Sequence, residues 1–308
     1  MNVLVIGTGA VGSFYGSLLA RQGASVAVVA RSDYQVVREQ GIAVRSDTDL
    51  GDYLLRPVEV LREGEQPRQK PDYVLMCIKV VKDADRSGLL RDVIGKDTSI
   101  VLISNGVEIE DEIRAAYPDH HLISGLAFIC VSREAPGKIW HQSLGRLALG
   151  DFPSGVSEPT RLLAEAFQRA GISCHALSNI TTARWQKCVW NAPFNPLSVL
   201  SGGLDTATIL DTQEPFIRAI MEEITAIAAA LGHALPTDIV SKMIESTRTM
   251  PPYKTSMLLD FEAGRSMETE AILGNAVRAG QRVGVPIPHL QSLYALMQLR
   301  ELQGVGSS

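Results

Sequence analysis

The sequence predicts an α/β fold: an N-terminal Rossmann-type parallel sheet domain followed by an all-helical C-terminal domain. Three observations indicate it. A β-branched run at residues 3–6 leads directly into a glycine-rich turn. Short apolar runs then alternate with helical patterns up to residue 178, which is typical of parallel sheets covered by helices. Beyond that residue strand patterns disappear and only helical periodicity continues. We therefore predict two domains, residues 1–178 and 179–308.

The glycine-rich turn has the spacing G-x-G-x-x-G, at Gly7, Gly9 and Gly12. The first glycine permits the tight turn from strand to helix, the second lets a pyrophosphate approach the backbone, and the third lets the helix pack on the sheet. Unpaired N–H groups at the start of such a helix bind phosphate. A glycine-rich turn without a ligand is the alternative, but the strand before it and the second strand after it favour a dinucleotide site. The predicted cofactor-binding residues here are Gly7, Thr8, Gly9, Ala10, Val11 and Gly12.

The other elements of the first domain follow from the alternation of apolar runs and helical patterns. We interpret residues 42–70, which hold two short strand patterns and a polar loop, as a surface excursion. The remaining predictions are strands at 25–29, 73–78, 99–103, 121–127 and 172–176, helices at 33–40 and 158–170, and a hairpin of 139–141 with 146–149.

In the second domain, apolar residues recur at helical spacing and glycines mark helix ends. These patterns predict helices at 215–231, 238–248, 254–262, 268–283 and 289–302.

Composition narrows the function classes. The chain has 308 residues, 45% of them hydrophobic and 20% charged, with a net charge of -5, so we expect no nucleic-acid partner. No stretch is long and apolar enough to span a bilayer, and no basic leader precedes the first strand, so we expect a cytoplasmic protein without a membrane partner. Four widely separated cysteines and six histidines show no metal-binding spacing, so we expect no metal site.

The end of the second strand bears on the choice of cofactor. NAD-binding proteins of this type carry an acidic residue there for the ribose 2′-OH, whereas this chain has Arg31. A guanidinium binds a 2′-phosphate, so the sequence favours NADP(H). Two alternatives stay open: Asp33 lies only two residues further on, and Arg31 is also a plausible solvated surface residue.

The strongest chemical signal lies at the start of the second domain. Lys187, Asn191 and Asn195 recur at intervals of four in an apolar stretch, so a helix there places all three on one face. Burying such groups without partners costs about 1–3 kcal/mol each, which indicates a site. Pro193 and Pro196 predict that the helix is kinked or ends there. The alternative is a lysine whose head reaches water, with asparagines acting as caps.

A second polar cluster follows at Ser256, Glu268 and Glu270. Carboxylates in the first turn of a helix are also common as partners of the helix dipole, so this cluster alone does not establish a site.

Several motifs together resemble the ketopantoate reductase (2-dehydropantoate 2-reductase) family. The K-x-x-x-N-x-x-x-N-P-L and D-x-x-A-G-R-x-x-E patterns are the most specific, and the resemblance covers nearly the whole chain. The motifs are GTGAVG, IKVVK, ISNGVE, RWQKCVWNAPFNPLSVL, SMLLDFEAGRSMETEAI and VGVPIPHLQSLYALM.

The resemblance implies NADPH-dependent reduction of 2-dehydropantoate to (R)-pantoate, a step toward pantothenate and coenzyme A, in a cleft between the two domains. It implies that Lys187 donates the proton and that Glu268 is its acidic partner. By the same resemblance, Asn191, Asn195 and Ser256 bind the substrate.

The remaining matches of the resemblance concern the cofactor. Asn105 matches a residue near the nicotinamide that also contacts substrate, and Arg31 with Lys79 matches the basic pair near the adenosine phosphate.

The chain also departs from the family pattern. Met267 stands where threonine is common, Leu273 precedes Gly274 where asparagine is common, and Glu270 is close enough to share the role of Glu268. A reductase of a different 2-oxo acid, or a non-catalytic NADP(H)-sensing protein, therefore stays open. The expected partner is a small-molecule 2-oxo acid, and a homodimer is one assembly that the sequence leaves open.

Overall fold

The computed structural model describes residues 1–81 and 84–305, with side chains up to residue 303. The chain folds into two compact units. The first contains Met1–Ile78, Asp85–Ser104 and Ile109–Ile180, and the second contains Lys79–Ala84, Asn105–Glu108 and Thr181–Ser308. Two short stretches before residue 178 thus belong to the helical unit. The domain boundary near residue 178 stays a prediction.

Ten strands of the described residues form one sheet in the first unit. The strands are β1 (Asn2–Ile6), β2 (Ser25–Val29), β3 (Ile42–Ser46), β4 (Tyr53–Leu55), β5 (Glu59–Leu61), β6 (Tyr73–Met76), β7 (Ser99–Ile103), β8 (Leu122–Ala135), β9 (Lys138–Asp151) and β10 (Cys174–Ala176). Their order is β4-β3-β9-β8-β7-β6-β1-β2-β5, with β10 beside β9.

The centre of this sheet is parallel, as predicted. Strand β1 pairs with β2 and β6, β6 with β7, and β7 with β8, all in parallel register. These strands are nearly continuous apolar runs because helices cover both faces of a parallel sheet. Strand pairs β8–β9 and β3–β4 are antiparallel, so the whole sheet is mixed. The predicted α/β fold class is confirmed.

Two predictions for this unit were wrong. Residues 139–141 and 146–149 do not form a hairpin, because both lie in β9, which pairs along its length with β8. The turn-like residues between them form a bulge instead: Leu144 has φ 66°, Gly145 has φ 112°, and the register shifts opposite them. Residues 42–70 are not a surface excursion either, because β5 pairs with β2 and β3 pairs with β9.

Four α-helices and a short 3₁₀ turn accompany the sheet in the first unit. They are α1 (Ala10–Arg21), α2 (Tyr34–Gln40), the 3₁₀ turn Gly88–Leu90, α3 (Asp111–Ala116) and α4 (Glu158–Arg169). Helix α1 buries Phe14, Tyr15, Leu18 and Leu19 completely, so the helix that follows the glycine-rich turn is anchored in the core.

Among the described residues of the second unit, the regular elements are all helical. Its elements are α5 (Ile180–Leu200), α6 (Thr206–Ala230), α7 (Ile239–Thr249), α8 (Ser256–Glu262), a π-helical turn (Glu270–Gly274), α9 (Asn275–Arg282) and α10 (Pro288–Val305). Their core includes the fully buried Trp185, Phe194, Ile220 and Leu290. No helix within the described ranges has the length and apolar character needed to cross a membrane.

Three helix predictions in this unit differ from the structure. Helix α6 begins at Thr206, but non-helical backbone at Gln213 (φ -133°, ψ 28°), two residues before Pro215, divides it into two helical parts. The predicted start at Pro215 therefore lies close to the start of the second part. The helix predicted at 268–283 is instead the π turn followed by α9. Helix α5 does not end at Pro193 or Pro196 but continues to Leu200, since burial of this stretch outweighs the helix-breaking tendency of proline. A kink at these prolines stays a prediction.

Candidate functional site

The glycine-rich turn requires glycine at two positions for steric reasons. Gly7 has φ +101°, and a Cβ atom there would lie 2.8 Å from Cγ2 of Ile78. A Cβ atom at Gly12 would lie 2.2 Å from the carbonyl oxygen of Gly7. Gly9 differs, because a Cβ atom there would meet no atom within 4 Å. The open space beside Gly9 therefore suits a ligand that approaches the backbone.

Helix α1 begins directly after Gly9, which caps it without a side-chain hydrogen bond. Its first turn contains no acidic residue, so the N–H groups and the positive end of the helix dipole favour an anion there. This geometry fits the pyrophosphate of a dinucleotide. It brings together the predicted residues Gly7, Thr8, Gly9, Ala10, Val11 and Gly12 on one turn.

Asp33 lies beside this turn and is only 2% exposed. Its Oδ1 atom accepts a hydrogen bond of 2.9 Å from the hydroxyl of Thr8, and its Oδ2 atom lies 4.0 Å from Nη1 of Arg133. Arg31, in contrast, is exposed. The carboxylate of Asp33, which was the reason to keep NAD as an alternative cofactor, is thus buried, and one of its oxygens accepts a hydrogen bond from the turn.

Arg62 is a basic residue near Arg31 that the sequence analysis missed. Strands β2 and β5 are parallel, and Val29 at the end of β2 lies opposite Leu61 at the end of β5. Arg62 is the first residue after β5, just as residue 30 is the first residue after β2. The Arg62 guanidinium carbon lies 4.0 Å from the ring centroid of Tyr34. The sequence contains a short apolar run that ends at Leu61 and predicts a strand before Arg62. This run lies within residues 42–70, which were interpreted as a surface excursion.

In the helical unit, Asn105 joins two of the predicted site residues. Nζ of Lys187 donates to Oδ1 of Asn105 at 2.9 Å, and Nδ2 of Asn105 donates to Oε2 of Glu268, also at 2.9 Å. An ammonium only donates and a carboxylate accepts, so the two partners fix the orientation of the amide. Lysine, asparagine and glutamate thus form one continuous hydrogen-bonded chain.

Glu268 is partly buried, and its environment contains opposing charges. Burial raises the pKa of its carboxyl, while the hydrogen bond from Asn105 and the charges of Lys79 and Lys187 lower it, and Asp260 raises it further. The net direction is upward. This carboxyl therefore protonates at a higher pH than an exposed glutamate.

Lys79 contacts the loop before Glu268. Its Nζ atom lies 2.6 Å from Oδ2 of Asp260 and donates to the carbonyl oxygen of Ser266 at 2.9 Å. Asp260 also pairs with Arg265 at 3.0 Å. The ammonium of Lys79 thus has protein partners, and its predicted contact with the cofactor stays a prediction.

The two asparagines on α5 are buried. Asn191 is 7% exposed and Asn195 is 2% exposed, one and two turns beyond Lys187 on the same helix. Because α5 is continuous, their spacing of four keeps all three on one face.

Ser256 is the first residue of α8 and is exposed. The start of α8 is tied to α5 by a hydrogen bond of 2.6 Å between the hydroxyls of Thr255 and Ser198, and Ser198 also donates to the carbonyl oxygen of Asn195 at 2.7 Å. These two hydrogen bonds connect the backbone of Asn195 to Thr255, the residue that precedes Ser256.

Glu270 has different partners from Glu268. Its two oxygens accept from the hydroxyl of Tyr294 at 2.5 Å and from Nη1 of Arg278 at 3.0 Å. Its carboxylate is therefore bound within a second polar group rather than to Asn105 or Lys187. Across the described parts of the chain, no group of three or more acidic, histidine or cysteine side chains is arranged to hold a metal ion.

Two family models match the chain. The model described as "Ketopantoate reductase PanE/ApbA" matches residues 3–154, and the model described as "Ketopantoate reductase PanE/ApbA C terminal" matches residues 179–301. The two matches together cover most of the sequence.

Named relatives agree with these models. The chain is 33% identical over 307 residues to a 2-dehydropantoate 2-reductase of Nostoc sp., covering 97% of this chain and 94% of the relative. A crystal structure of 2-dehydropantoate 2-reductase from Methylococcus capsulatus has 65% identity and a TM-score of 0.95, covering 99% of this chain and 98% of that one. Another, from Geobacter metallireducens, has 32% identity and a TM-score of 0.89, covering 97% and 100%.

Proposed function

This chain belongs to the ketopantoate reductase family, and from that premise we propose that it reduces 2-dehydropantoate to (R)-pantoate with NADPH, with Lys187 as the proton donor. The chain is an oxidoreductase, since its relatives are named as reductases over nearly their whole length. The substrate, the phosphorylated cofactor and the roles of single residues are the content of the proposal. The product serves as a precursor of pantothenate and coenzyme A.

The hydrogen-bonded chain from Lys187 through Asn105 to Glu268 is the observation that carries this proposal. When bound, the nicotinamide supplies the hydride that the 2-oxo carbon accepts. Negative charge then develops on the substrate oxygen, which requires a positioned cation and a proton. Lys187 provides both, because an ammonium is a compact charge with three donors.

Asn105 and Glu268 hold that ammonium in place. The amide oxygen of Asn105 accepts a hydrogen bond from the ammonium of Lys187, and in this proposal the ammonium also donates to the substrate oxygen. The carboxylate of Glu268 orients the amide from the opposite side, and its negative charge favours the protonated lysine. In its ionised form Glu268 also accepts a hydrogen bond from the substrate hydroxyl in this proposal.

We assign the rest of substrate binding to Asn191, Asn195 and Ser256. The two buried amides offer donors and acceptors on the face of α5 that carries Lys187, and buried amides are costly unless they find partners. The hydroxyl of Ser256 lies on the neighbouring helix α8. These groups suit the carboxylate and hydroxyl of a small oxo acid.

The basic residues at the ends of β2 and β5 support NADPH over NADH. We propose that Arg31, with Arg62 as a second guanidinium, binds the 2′-phosphate, because guanidinium groups pair with phosphate through two parallel hydrogen bonds. Asp33 supports this choice, since its buried carboxylate is bonded to Thr8 rather than exposed for a ribose hydroxyl. Lys79 remains a proposed cofactor contact, through exchange of its Asp260 partner.

The alternative substrate, a different 2-oxo acid, rested on departures at Met267 and Leu273. Leu273 is fully buried in the helical core and Met267 is 8% exposed, so both changes are accommodated by packing of the core. A comparison of 2-oxo acids as substrates distinguishes 2-dehydropantoate from the alternative.

The deciding experiment is oxidation of NADPH, followed by absorbance, with 2-dehydropantoate and with two or three other branched 2-oxo acids. We expect kcat/KM to be highest for 2-dehydropantoate. A higher value with another oxo acid would assign that substrate instead. Tight binding of NADPH without turnover of any oxo acid would indicate a sensing protein and contradict the proposal.

A further inference from the structure

Residues 105–108, here called the 105–108 segment, contact the helical unit at every position. Asn105 bonds Lys187 and Glu268, and the carbonyl oxygen of Gly106 accepts from Nη1 of Arg184 at 3.2 Å. Val107 uses both its backbone N–H and its C=O, and Glu108 forms an ion pair with an arginine on α9. The position of Asn105 is thus set by a fixed backbone rather than by a loose loop.

The π turn provides one of these contacts. In a π turn the backbone hydrogen bonds are displaced by one residue, and such turns are frequent at functional sites. The carbonyl oxygen of Ala271, inside this turn, accepts from the N–H of Val107 at 3.1 Å. The backbones approach so closely that a Cβ atom at Gly106, where φ is +102°, would lie 2.5 Å from the same oxygen.

Asn275 provides the opposing contact. It is the first residue of α9, and its Nδ2 atom donates to the carbonyl oxygen of Val107 at 2.7 Å. Its Oδ1 atom accepts from Nη2 of Arg278 at 2.7 Å, and Arg278 in turn pairs with Glu270. Glu270 also accepts from Tyr294, so the relay is anchored on α10.

We propose that Asn275, held by Arg278 and Glu270, is a positioning residue that fixes the 105–108 segment so that Asn105 bridges Lys187 and Glu268. The inference rests on the proposed function. It also gives Glu270 a role distinct from that of Glu268: the carboxylate of Glu270 orients Arg278 and through it Asn275, whereas the carboxylate of Glu268 accepts a hydrogen bond from Asn105.

The expected balance of effects follows from the geometry. Asn275→Ala loses two hydrogen bonds, one to the carbonyl oxygen of Val107 and one from Arg278. Each costs about 0.5–1.5 kcal/mol of stability, so the variant should fold. A displacement of about 1 Å in a catalytic group costs about 100-fold in rate. Removal of the Asn275 amide should therefore affect turnover far more than folding.

The test compares Asn275→Ala with Gln281→Ala, which changes an exposed side chain on the same helix. In Asn275→Ala we expect kcat to fall about 10- to 100-fold, while the Tm changes little. In Gln281→Ala we expect both to match the wild type. The double variant Asn105→Ala with Asn275→Ala should be no slower than Asn105→Ala alone, because both changes remove the same bridge.

A pH titration provides a readout that a purely structural role would not move. The groups that act on Glu268 are Asn105, Lys79, Lys187 and Asp260, and the amide of Asn105 lowers its pKa. When Asn275→Ala loosens Asn105, the pKa of Glu268 should rise. The acid limb of the kcat profile should then shift to higher pH, as it should in Asn105→Ala.

Measuring the pKa of Glu268 by carboxyl ¹³C NMR separates this inference from the proposed function, because it requires no turnover. An unchanged pKa in Asn275→Ala would overturn the positioning role even in an active enzyme. A raised pKa would support it even if the wild type reduced none of the oxo acids, a result that would overturn only the proposed function.

Discussion

Nδ2 of Asn105 lies 2.9 Å from Oε2 of Glu268, although 163 positions separate the two residues in the sequence. The same amide accepts from Lys187 through its oxygen. One neutral side chain therefore forms hydrogen bonds with both a cation and an anion, and these two bonds fix the orientation of its amide group.

Replacement of Lys187 by alanine should remove the proposed proton donor and leave cofactor binding intact. We expect kcat to fall by about 10²–10⁴-fold, the usual contribution of a positioned acid. The Kd for NADPH, measured by fluorescence titration, should not change. Gln186→Ala, at the exposed neighbouring position, is the matched control and should keep full activity. Wild-type turnover in Lys187→Ala would disprove the assignment.

Glu268→Gln should lower activity and at the same time stabilise the protein at neutral pH. Burial raises the pKa of Glu268 in the folded state, so folding favours the protonated form and stability falls as pH rises through that pKa. An uncharged glutamine lacks this loss. We therefore expect the Tm of Glu268→Gln to exceed that of the wild type above the pKa of Glu268.

Thermal melts of both proteins across a pH series check this expectation. The Tm difference should shrink as pH falls, because the wild-type carboxyl then becomes protonated and resembles the glutamine. A difference that stays constant with pH, or that grows in acid, would contradict the direction of the shift.

The glycines of the glycine-rich turn should separate into two classes. Gly9→Ala should leave Tm unchanged, because the new methyl group meets no protein atom and the backbone (φ -70°, ψ -174°) is allowed for alanine. The methyl group would occupy the space of the ligand, so we expect the Kd for NADPH to rise roughly tenfold or more.

Gly12→Ala, unlike Gly9→Ala, should lower the stability of the protein. Its Cβ atom would lie 2.2 Å from a backbone oxygen, so we expect a loss of about 1–3 kcal/mol in the free energy of unfolding. Denaturant melts and cofactor titrations on the two variants check both expectations. Equal destabilisation by both changes would refute the distinction.

Arg31→Ala and Arg62→Ala should each weaken NADPH about 10- to 100-fold, the effect of losing hydrogen bonds to a charged group. The KM for NADH should hardly change, because NADH lacks the 2′-phosphate. Arg56→Ala, at an exposed position before β5, is the control and should leave both constants unchanged. If Arg62→Ala affected the two cofactors equally, the second guanidinium would have no role in their discrimination.

Much of the fold was predictable because its elements are strongly periodic. The parallel strands around β1 are continuous apolar runs, and the glycine spacing fixes the turn that follows. The errors arose where local signals conflicted with long-range pairing. Residues 142–145 resemble a turn, but pairing with β8 absorbs them as a bulge. Prolines at 193 and 196 resemble helix breakers, but burial of α5 keeps it helical.

The candidate site was predictable to a different extent. The spacing of Lys187, Asn191 and Asn195 indicates one helix face, and continuous α5 gives that arrangement. The bridge by Asn105 depends on pairing of distant segments, which spacing alone does not specify. Arg62 was missed because its significance lies in the register of β5 beside β2. The roles of all these residues remain predictions.

The helical unit is assembled from three separate parts of the chain, of which the parts beginning at Lys79 and Asn105 precede its main sequence. A gene fragment that encodes only residues 179–308 would therefore lack the partner of both Lys187 and Glu268. The amine and the carboxylate would lose their common amide, and Ala271 and Asn275 would lose the backbone they hold. A chimaera of two relatives should therefore take all three parts of the helical unit from the same relative. A single crossover near residue 178 would take Asn105 from one relative and its partners Lys187 and Glu268 from the other.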